Sequence, residues 1–229
     1  MNIPRVLVIG LDGVPFSLLD VLFSRELMPT LQFMIERGYS ADLLSTVPPI
    51  SATAWATFAT GVNPGQHGIL QFVNLRPSQI GDGDATWMFP GGVSLLNADS
   101  IKDITLWQLL SDAHKHSVVV NVPLTYPPRE INGVMVSGML TPPSAPTFTH
   151  PPELSAHLHR MRYEIDLSLR EREFDFAPRK LVSRLTQVLQ KRRDACLHLM
   201  KTEPWDFFMV VFTGTDRIQH RFWKYLVPG

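Results

Sequence analysis

Asp216 and His220 occur as D-R-I-Q-H, directly after the apolar run Phe207–Phe212. If a helix begins at or just before Asp216, a spacing of four places both side chains on one face, one turn apart. A carboxylate oxygen and an imidazole nitrogen in that arrangement suit Zn²⁺ or Mn²⁺. The alternative is that Asp216 caps the helix and His220 is exposed, because Asp is a favoured N-cap residue.

Two further polar side chains follow apolar runs nearer the start of the chain. Ser51 lies at the predicted start of a helix, where backbone N–H groups and the positive end of the helix dipole favour a phosphate group. A metal ion on its oxygen would supply the activation that a free hydroxyl lacks. Asp12 follows Val6–Leu11, and Gly13 permits close approach of a ligand. The alternatives are an ordinary helix cap for Ser51 and a turn residue for Asp12.

Strands that alternate with helices must position these residues, and this pattern predicts an α/β fold with a largely parallel sheet. Val6–Leu11 is a continuous apolar run, which predicts a strand buried on both faces. The other predicted strands are Ala41–Val47, Val118–Val122, Gly133–Gly138 and Phe207–Phe212. The predicted helices are 17–37 with an interruption at Pro29, Ser51–Thr60, Ile104–His114, most of 153–203, and Asp216–Leu226. Ligand sites of such sheets lie beyond the carboxyl ends of the strands, where Asp12, Ser51 and Asp216 are expected.

The chain divides into three predicted parts within a single domain. Residues 1–138 form the core sheet, with a polar, glycine-rich excursion over 74–100. Five of the fourteen residues from Met139 to Pro152 are proline, so 139–203 is predicted to be a proline linker followed by a helical insert or lid. Residues 204–229 return to the core and carry Asp216 and His220.

Composition excludes several classes of protein. The 229 residues carry 21 Lys and Arg against 21 Asp and Glu, for a formal net charge of zero, which argues against a protein that binds a nucleic-acid polymer. Cys196 is the single cysteine, so an intramolecular disulfide and a multi-thiol metal site are excluded. No apolar stretch approaches the ~18–20 residues that span a bilayer. The start lacks the pattern of a signal peptide, and a cytoplasmic location is expected.

Several blocks of the sequence resemble the type I phosphodiesterase/nucleotide pyrophosphatase family of the alkaline phosphatase superfamily. They are V-L-V-I-G-L-D-G, M-P-T-L, P-P-I-S-A-T-A-W-A-T-F-A-T-G-V-N-P-G-Q-H-G-I, V-P-L-T-Y-P-P, N-G-V-M-V-S-G and T-D-R-I-Q-H-R-F-W-K-Y. The blocks occur in the family's order over most of the chain. The resemblance implies an alkaline-phosphatase-like α/β/α sandwich and a two-metal phosphohydrolase, usually with zinc, that acts on phosphate esters or nucleotides.

The resemblance also implies roles for individual residues. Asp12 matches the metal ligand after the first strand, and Ser51 stands at the nucleophile position, where Thr is commoner. Asp216 and His220 match the D-x-x-x-H pair that binds the other metal. In the mechanism that the family implies, the metal-bound alkoxide attacks phosphorus and a covalent phospho-enzyme forms. His67 also matches a family block but is not expected to be a ligand.

The sequence departs from the family pattern at two places. Ala54 stands where nucleotide pyrophosphatases often carry an Asn that contacts phosphate, which leaves a preference for nucleotides in doubt. The family's further Asp-His pair, usually within S-D-H-G, has no match, because no D-H pair occurs in the 229 residues. The chain is therefore expected to be the N-terminal portion of the enzyme, with Asp12 and Ser51 left for one metal and Asp216 and His220 for the other.

Two ligands per ion is fewer than zinc sites use, so two functions stay open. One is a metal-dependent phosphohydrolase with Ser51 as nucleophile. The other is a catalytically inactive paralogue that acts as a binding or interaction module. A sulfatase is disfavoured because S-A-T-A-W lacks the C/S-x-P-x-R block. Missing strands would leave an exposed apolar edge, which predicts self-association.

Tryptophans near the predicted site are candidates for stacking on a nucleobase, although a core position is the commoner role for such residues. They are Trp55, Trp87 and Trp223.

Overall fold

Seven strands and eight α-helices occur in the residues that the computed structural model describes, which are 4–74, 94–167 and 178–226. The strands are β1 (Val6–Leu11), β2 (Val73–Asn74), β3 (Ser94–Leu95), β4 (Ser117–Val120), β5 (Gly133–Val136), β6 (Thr149–His150) and β7 (Phe207–Phe212). The helices are α1 (Phe16–Ser24), α2 (Pro29–Arg37), α3 (Ser51–Thr60), α4 (Pro64–His67), α5 (Leu106–Asp112), α6 (Leu154–Arg160), α7 (Pro178–Thr202) and α8 (Gly214–Leu226).

Five of the strands form one sheet in the order β1-β7-β4-β5-β6. The first four strands in that order are parallel to their neighbours, and only β6 is antiparallel. Parallel central strands are buried on both faces, and β4 and β7 accordingly consist of apolar runs that are almost fully buried. The predicted α/β fold with a largely parallel sheet is confirmed.

Helices cover both faces of this sheet and create two apolar clusters. On one face, Ala59 of α3 and Trp107 of α5 pack against Met209 of β7 and Val119 of β4. On the other face, side chains of α6 and α7 pack against the opposite side of β4, β5 and β7. The three layers are those of an α/β/α sandwich, and the parallel strands direct their carboxyl ends to a common edge.

Two predictions about strands were wrong: one about the burial of a strand that does form, and one about a strand that does not form. Val6–Leu11 forms a strand but is not buried on both faces, because β1 lies at the edge of the sheet and three of its residues are about half exposed. Ala41–Val47 forms no strand, and its apolar side chains Leu43 and Leu44 are more than nine-tenths exposed. A strand needs a partner for its backbone groups, and within the described residues this segment has none.

The predicted helix over 17–37 is divided into α1 and α2, with Pro29 as the first residue of α2. Proline suits that position, because the N–H group that it lacks would have no hydrogen-bond partner within the helix. Within 139–203, β6 joins the sheet and α7 covers one of its faces. The boundaries of the insert stay a prediction.

Most of the predicted excursion over 74–100, and Trp87 with it, lies outside the described residues. So does part of the predicted helical region 153–203, at residues 168–177. None of the helices in the described ranges has the length and apolar character needed to cross a membrane.

Candidate active site

The carboxyl ends of β1 and β7 lie side by side and bring two parts of the candidate site together. The two strands are paired in parallel as far as Leu11 and Phe212. Beyond that pair, the backbone N–H of Asp12 donates to the carbonyl of Phe212 at 3.0 Å. Asp216 follows within the first turn of α8. Two acidic residues that are 204 positions apart in the sequence therefore meet at one edge of the sheet.

Ser51 lies against Asp12 and is the first residue of α3. Its hydroxyl donates to Asp12 Oδ1 at 3.1 Å. Ser51 does not cap the helix, because the cap position is occupied by Ile50, whose side chain makes no hydrogen bond. The N–H groups of the first turn of a helix have no partner within the helix. The start of α3 therefore presents both a hydroxyl and backbone N–H groups, which is an arrangement that favours a phosphate group.

Trp55, one turn further along α3, also contacts Asp12. The indole lies close enough to the Asp12 carboxylate to act against the rise in its pKa. The ring lies over β1 at Gly10, where an added Cβ would come within 2.4 Å of Trp55 Cη2. Gly10 is therefore the residue that lets the indole reach the end of β1. The sequence analysis predicts for Trp55 only stacking on a base or a place in the core.

The charge of Asp12 is unfavourable in its surroundings. Burial and the nearby negative charge of Asp216 raise the pKa of Asp12, and the hydrogen bond from Ser51, the nearby indole of Trp55 and the charge of Arg217 offset only part of this effect. Asp12 Oδ2 is buried and has no hydrogen-bond partner. A buried carboxylate oxygen without a partner costs free energy, and a cation placed beside Asp12 and Asp216 would remove that cost.

Asp216 and His220 lie on one face of α8, as the spacing of four predicts. Nε2 of His220 is 3.3 Å from Oδ1 of Asp216, and the two side chains are 73% and 22% exposed. With Gly13, Gln219 and Trp223, they line an open pocket of about 370 Å³. The part of the site on α8 is thus open to solvent, whereas the Asp12 carboxylate is almost completely buried.

Two residues that the sequence analysis missed join α8 to the end of β1. The Thr215 hydroxyl donates to the backbone carbonyl of Asp12 at 2.5 Å, and the Gln219 amide donates to the carbonyl of Gly13. Thr215 and Gln219 are four residues apart, as are Asp216 and His220. That spacing was a usable signal for a second polar row on α8, but nothing in the sequence identified β1 as its partner.

His67 lies away from this site. It is fully buried, its Nδ1 accepts the backbone N–H of Ile69 at 3.1 Å, and its Nε2 is 2.9 Å from the Thr57 hydroxyl. Burial lowers the pKa of His67, although the charge of Asp103 acts in the opposite direction. Both ring nitrogens are used to fix α3 against the segment that follows it.

The donor atoms suit a divalent cation but do not form a closed site. Carboxylate, hydroxyl and imidazole are the ligands that Zn²⁺ and Mn²⁺ accept, and Asp12 Oδ2 has no hydrogen-bond partner that would compete for it. Among the described residues, however, no group of three or more His, Cys, Asp or Glu side chains is placed around one point. The structure brings Asp12 to Ser51 and Asp216 to His220, and the metal-binding roles of these residues stay predictions.

Comparison with protein families matches residues 6–226 to the family "Type I phosphodiesterase / nucleotide pyrophosphatase". The chain belongs to this family. The family is part of the alkaline phosphatase superfamily, and its members typically bind metal ions. No curated protein matches the chain.

Two solved structures are similar to the chain, and both are of phosphonoacetate hydrolase from Sinorhizobium meliloti 1021. The complex with phosphonoacetate has a TM-score of 0.57 and the complex with phosphonoformate one of 0.55, each at 19% identity. At this identity the likeness establishes the fold alone. Each match covers 98% of this chain but 52% of the hydrolase, so this family member spans about half the length of the solved relatives.

Proposed function

We propose that this chain carries the nucleophile and part of the metal site of a phosphodiesterase that cleaves phosphate esters through Ser51. The observation that supports this most directly is the 3.1 Å hydrogen bond from the Ser51 hydroxyl to Asp12 Oδ1. It joins a candidate nucleophile at a helix start to a buried carboxylate at a strand end. Membership of the phosphodiesterase family supports the same reaction class.

Ser51 and Asp12 would act together on the proton of the hydroxyl. Because the hydroxyl donates to Asp12 Oδ1, the lone pairs of Ser51 Oγ are directed away from Asp12 and towards incoming phosphate. Attack passes the Ser51 proton to Asp12, forms an Oγ–P bond and breaks the bond from phosphorus to the leaving oxygen, which takes up a proton from water. A water molecule then hydrolyses the Oγ–P bond and regenerates Ser51. The raised pKa of Asp12 makes its carboxylate a better proton acceptor than an exposed Asp.

The start of α3 would bind the phosphoryl oxygens. The first-turn N–H groups of α3 lie beside Ser51, and no side chain caps them. Such groups stabilise the negative charge that develops on phosphorus-bound oxygens. Trp223 lines the open pocket beside His220 and is 56% exposed, which suits contact with an apolar or planar leaving group.

Asp12 and Ser51 would hold one divalent cation, and Asp216 and His220 the second. When bound, such cations polarise a phosphoryl oxygen and lower the pKa of a hydroxyl that they contact. Zinc is the expected metal and manganese the second choice, since both accept mixed oxygen and nitrogen ligands. The part played by this chain is to hold Asp12 and Asp216 close together through the pairing of β1 with β7.

The test combines metal content with turnover on one preparation. The chain is purified without chelator, its zinc and manganese are measured, and bis-p-nitrophenyl phosphate and phosphonoacetate are offered as substrates. We expect bound metal and release of p-nitrophenol, and we expect Ser51→Ala to abolish turnover while metal bound through Asp216 and His220 is retained. Ser24→Ala, in an exposed hydroxyl of α1, is the matched control and should leave turnover unchanged.

A second candidate function is a binding module without turnover. It is favoured by the lack of a group of three metal-binding side chains among the described residues. Tight binding of a phosphodiester with no turnover in the wild-type chain, and unchanged binding in Ser51→Ala, would support the module and contradict the hydrolase. Turnover that persists in Ser51→Ala would contradict Ser51 as the nucleophile.

A further inference from the structure

Arg217 follows Asp216 directly on α8 and brings a positive charge to the candidate site. Burial and Asp216 raise the pKa of Asp12, and the charge of Arg217 acts to lower it. The Arg217 guanidinium is nevertheless paired with Asp166 rather than with either of these acids. Its Nη2 donates to Asp166 Oδ2 at 2.5 Å and to the sulfur of Met139 at 2.9 Å. The charged side chains of this pair are only 14% and 15% exposed.

Another Arg and Asp that are neighbours on a helix are arranged differently. On α7, Arg193 Nε and Nη2 both donate to Oδ1 of the adjacent Asp194, at 2.9 and 2.7 Å. Neighbouring Arg and Asp side chains on a helix can therefore pair in this chain. On α8, Asp166 accepts from the arginine instead, and the carboxylate of Asp216 lies beside His220.

The separation of Arg217 from Asp12 leaves two buried groups unsatisfied. Arg217 Nε and Asp12 Oδ2 are both buried without a hydrogen-bond partner, although the two charges are close enough to act on each other. An unpaired buried donor and an unpaired buried acceptor each cost free energy. A third group must therefore hold Arg217 in place, and the ion pair identifies that group as Asp166.

Asp166 is itself fixed, because it lies in the segment 163–167, which is anchored on both sides. Glu164 forms ion pairs with two basic residues of α7, and Leu167 packs into the apolar cluster between α7 and α8. Asp166 Oδ1 accepts the backbone N–H of Leu167 at 2.8 Å, and Oδ2 accepts from Arg217. Both carboxylate oxygens of Asp166 thus have a partner, and the position of the guanidinium is determined by this segment.

We propose that Asp166 is a positioning residue that holds the Arg217 guanidinium away from Asp12 and Asp216 and so keeps their carboxylates available to a cation. A released guanidinium would take the same oxygens, because its fork of N–H donors matches a carboxylate. The inference rests on the proposed function, since it concerns the acids that are proposed to hold metal ions.

The first test is the Zn²⁺ affinity of Asp166→Asn in the full chain, measured by isothermal titration calorimetry. Asn keeps an oxygen for the Leu167 amide but places an NH₂ group where Oδ2 accepted from Arg217. We expect the affinity to fall roughly tenfold or more. Glu164→Gln is the matched control, because it makes the same change from acid to amide in a side chain that pairs with α7, and it should leave the affinity unchanged.

Arg217→Met then tests whether the arginine is the competitor. Added to Asp166→Asn, it should restore the Zn²⁺ affinity to near the wild-type value, whereas alone it should change the affinity much less. Two charges that act independently would instead give the same effect in both backgrounds. Equal effects would overturn the proposal, and so would a double variant that binds Zn²⁺ no better than Asp166→Asn.

Thermal unfolding in chelator at pH 7 tests the same contact without metal. Asp12→Asn should raise the Tm of the wild-type chain, because it removes a buried charge with an unpartnered oxygen. In Asp166→Asn, where Arg217 pairs with Asp12, Asp12→Asn should lower the Tm instead. An equal rise in both backgrounds would overturn the proposal. Failure of the wild-type chain to bind Zn²⁺ would contradict the metal roles of the proposed function, and the measurement in chelator would still decide whether Asp166 holds Arg217.

Discussion

The two ends of the five-stranded sheet are equally apolar in sequence, but other parts of the chain cover them to very different extents. On the side of β4 and β5, nearly every strand residue is buried, and the sheet ends in the two-residue strand β6, which is followed by Pro151. On the side of β1, an unbroken apolar strand is left half exposed. Apolar composition therefore indicates that a strand will form, but the neighbouring layers decide whether it is buried.

The difference extends to how charged groups are held. On the covered side, Arg192 is 1% exposed within α7, and its guanidinium donates to the carbonyls of Val211 and Ile165. At the end of β1, Asp12 is also buried, but one of its oxygens has no partner. Arg192 Nε and Ser117 Oγ on the covered side also lack a hydrogen-bond partner, so an unpartnered buried atom is not particular to the site. What distinguishes Asp12 is that its unpartnered atom belongs to a carboxylate close to the second negative charge of Asp216.

The largest difference in the free energy of unfolding is expected between variants of two residues that lie opposite each other on adjacent strands, Phe208 of β7 and Leu7 of β1. Phe208→Ala should lower the free energy of unfolding by about 3–5 kcal/mol, because it opens a cavity in the covered core. Leu7→Ala, at the residue in register with Phe208, should cost about 1 kcal/mol or less, since Leu7 is 46% exposed. Urea denaturation of both variants at low chain concentration measures the two values. Similar losses would show that β1 is as well covered as β7.

A second pair of variants compares neighbouring arginines on α7. Arg192→Met should cost about 1–3 kcal/mol, because it leaves the partly buried carbonyl of Ile165 without its donor. Arg193→Met should change stability by no more than about 0.5 kcal/mol, since the Arg193 side chain is 60% exposed. Thermal unfolding of the two variants provides the measurement. An unchanged or higher Tm for Arg192→Met would mean that the cost of burying the cation exceeds the value of its hydrogen bonds.

A third prediction concerns pH on the covered side. Burial acts to raise the pKa of Glu164, but hydrogen bonds and charges from Arg184 and Lys191 outweigh it and lower the pKa. An acid whose pKa is lowered in the folded state stabilises the fold above its unfolded pKa and loses that contribution as pH falls through the folded pKa. Glu164→Gln should therefore cost about 1 kcal/mol at pH 7. Tm measured from pH 7 downwards should show that cost begin to shrink as pH falls below 4.5, the ordinary value for Glu, and disappear once pH has passed through the lowered pKa.

The smallest effect on stability is expected at Asp12, at the end of β1, and its dependence on pH has the opposite sign to that of Glu164. The pKa of Asp12 is raised by burial and by Asp216, so its ionised form lowers stability at neutral pH, and this loss is relieved as pH falls through the raised pKa. In chelator, Asp12→Asn should raise Tm by roughly 2–4 °C at pH 7 and leave it unchanged below pH 3.8. Added Zn²⁺ should then raise the Tm of the wild-type chain by more than that of Asp12→Asn, which keeps only Asp216 and His220 as metal ligands. A lower Tm for Asp12→Asn at pH 7 in chelator would contradict the unfavourable charge.

Much of the site's placement could be predicted because its residues follow strands. Asp12 comes directly after an apolar run and Asp216 shortly after another, and parallel strands bring such positions to one edge. Ser51 could be assigned to the start of α3 from the apolar periodicity that follows it. The contacts of Trp55, Thr215 and Gln219 could not be predicted, since each depends on which strand lies beside α3 or α8.

The failed prediction at Ala41–Val47 has a related cause. Its alternation of apolar residues and its Pro-Pro boundary are typical of a strand, but local pattern does not supply the neighbouring strand that pairs with it. The same lack of information made Val6–Leu11 look like a strand buried on both faces. Periodicity describes the side chains of a segment and contains nothing about the layers on either side.

The sequence by itself determined four of the five strands of the sheet, the family, and the four residues that could hold a metal ion or attack phosphorus, because these depend on local pattern and residue type. Only the tertiary structure decided that Asp12 accepts a hydrogen bond from Ser51, that its Oδ2 is left without a partner, and that β1 is an uncovered edge. Those properties come from contacts between segments that are far apart in the chain. Burial, pKa and exposure are set by such contacts, and no local stretch of sequence specifies them.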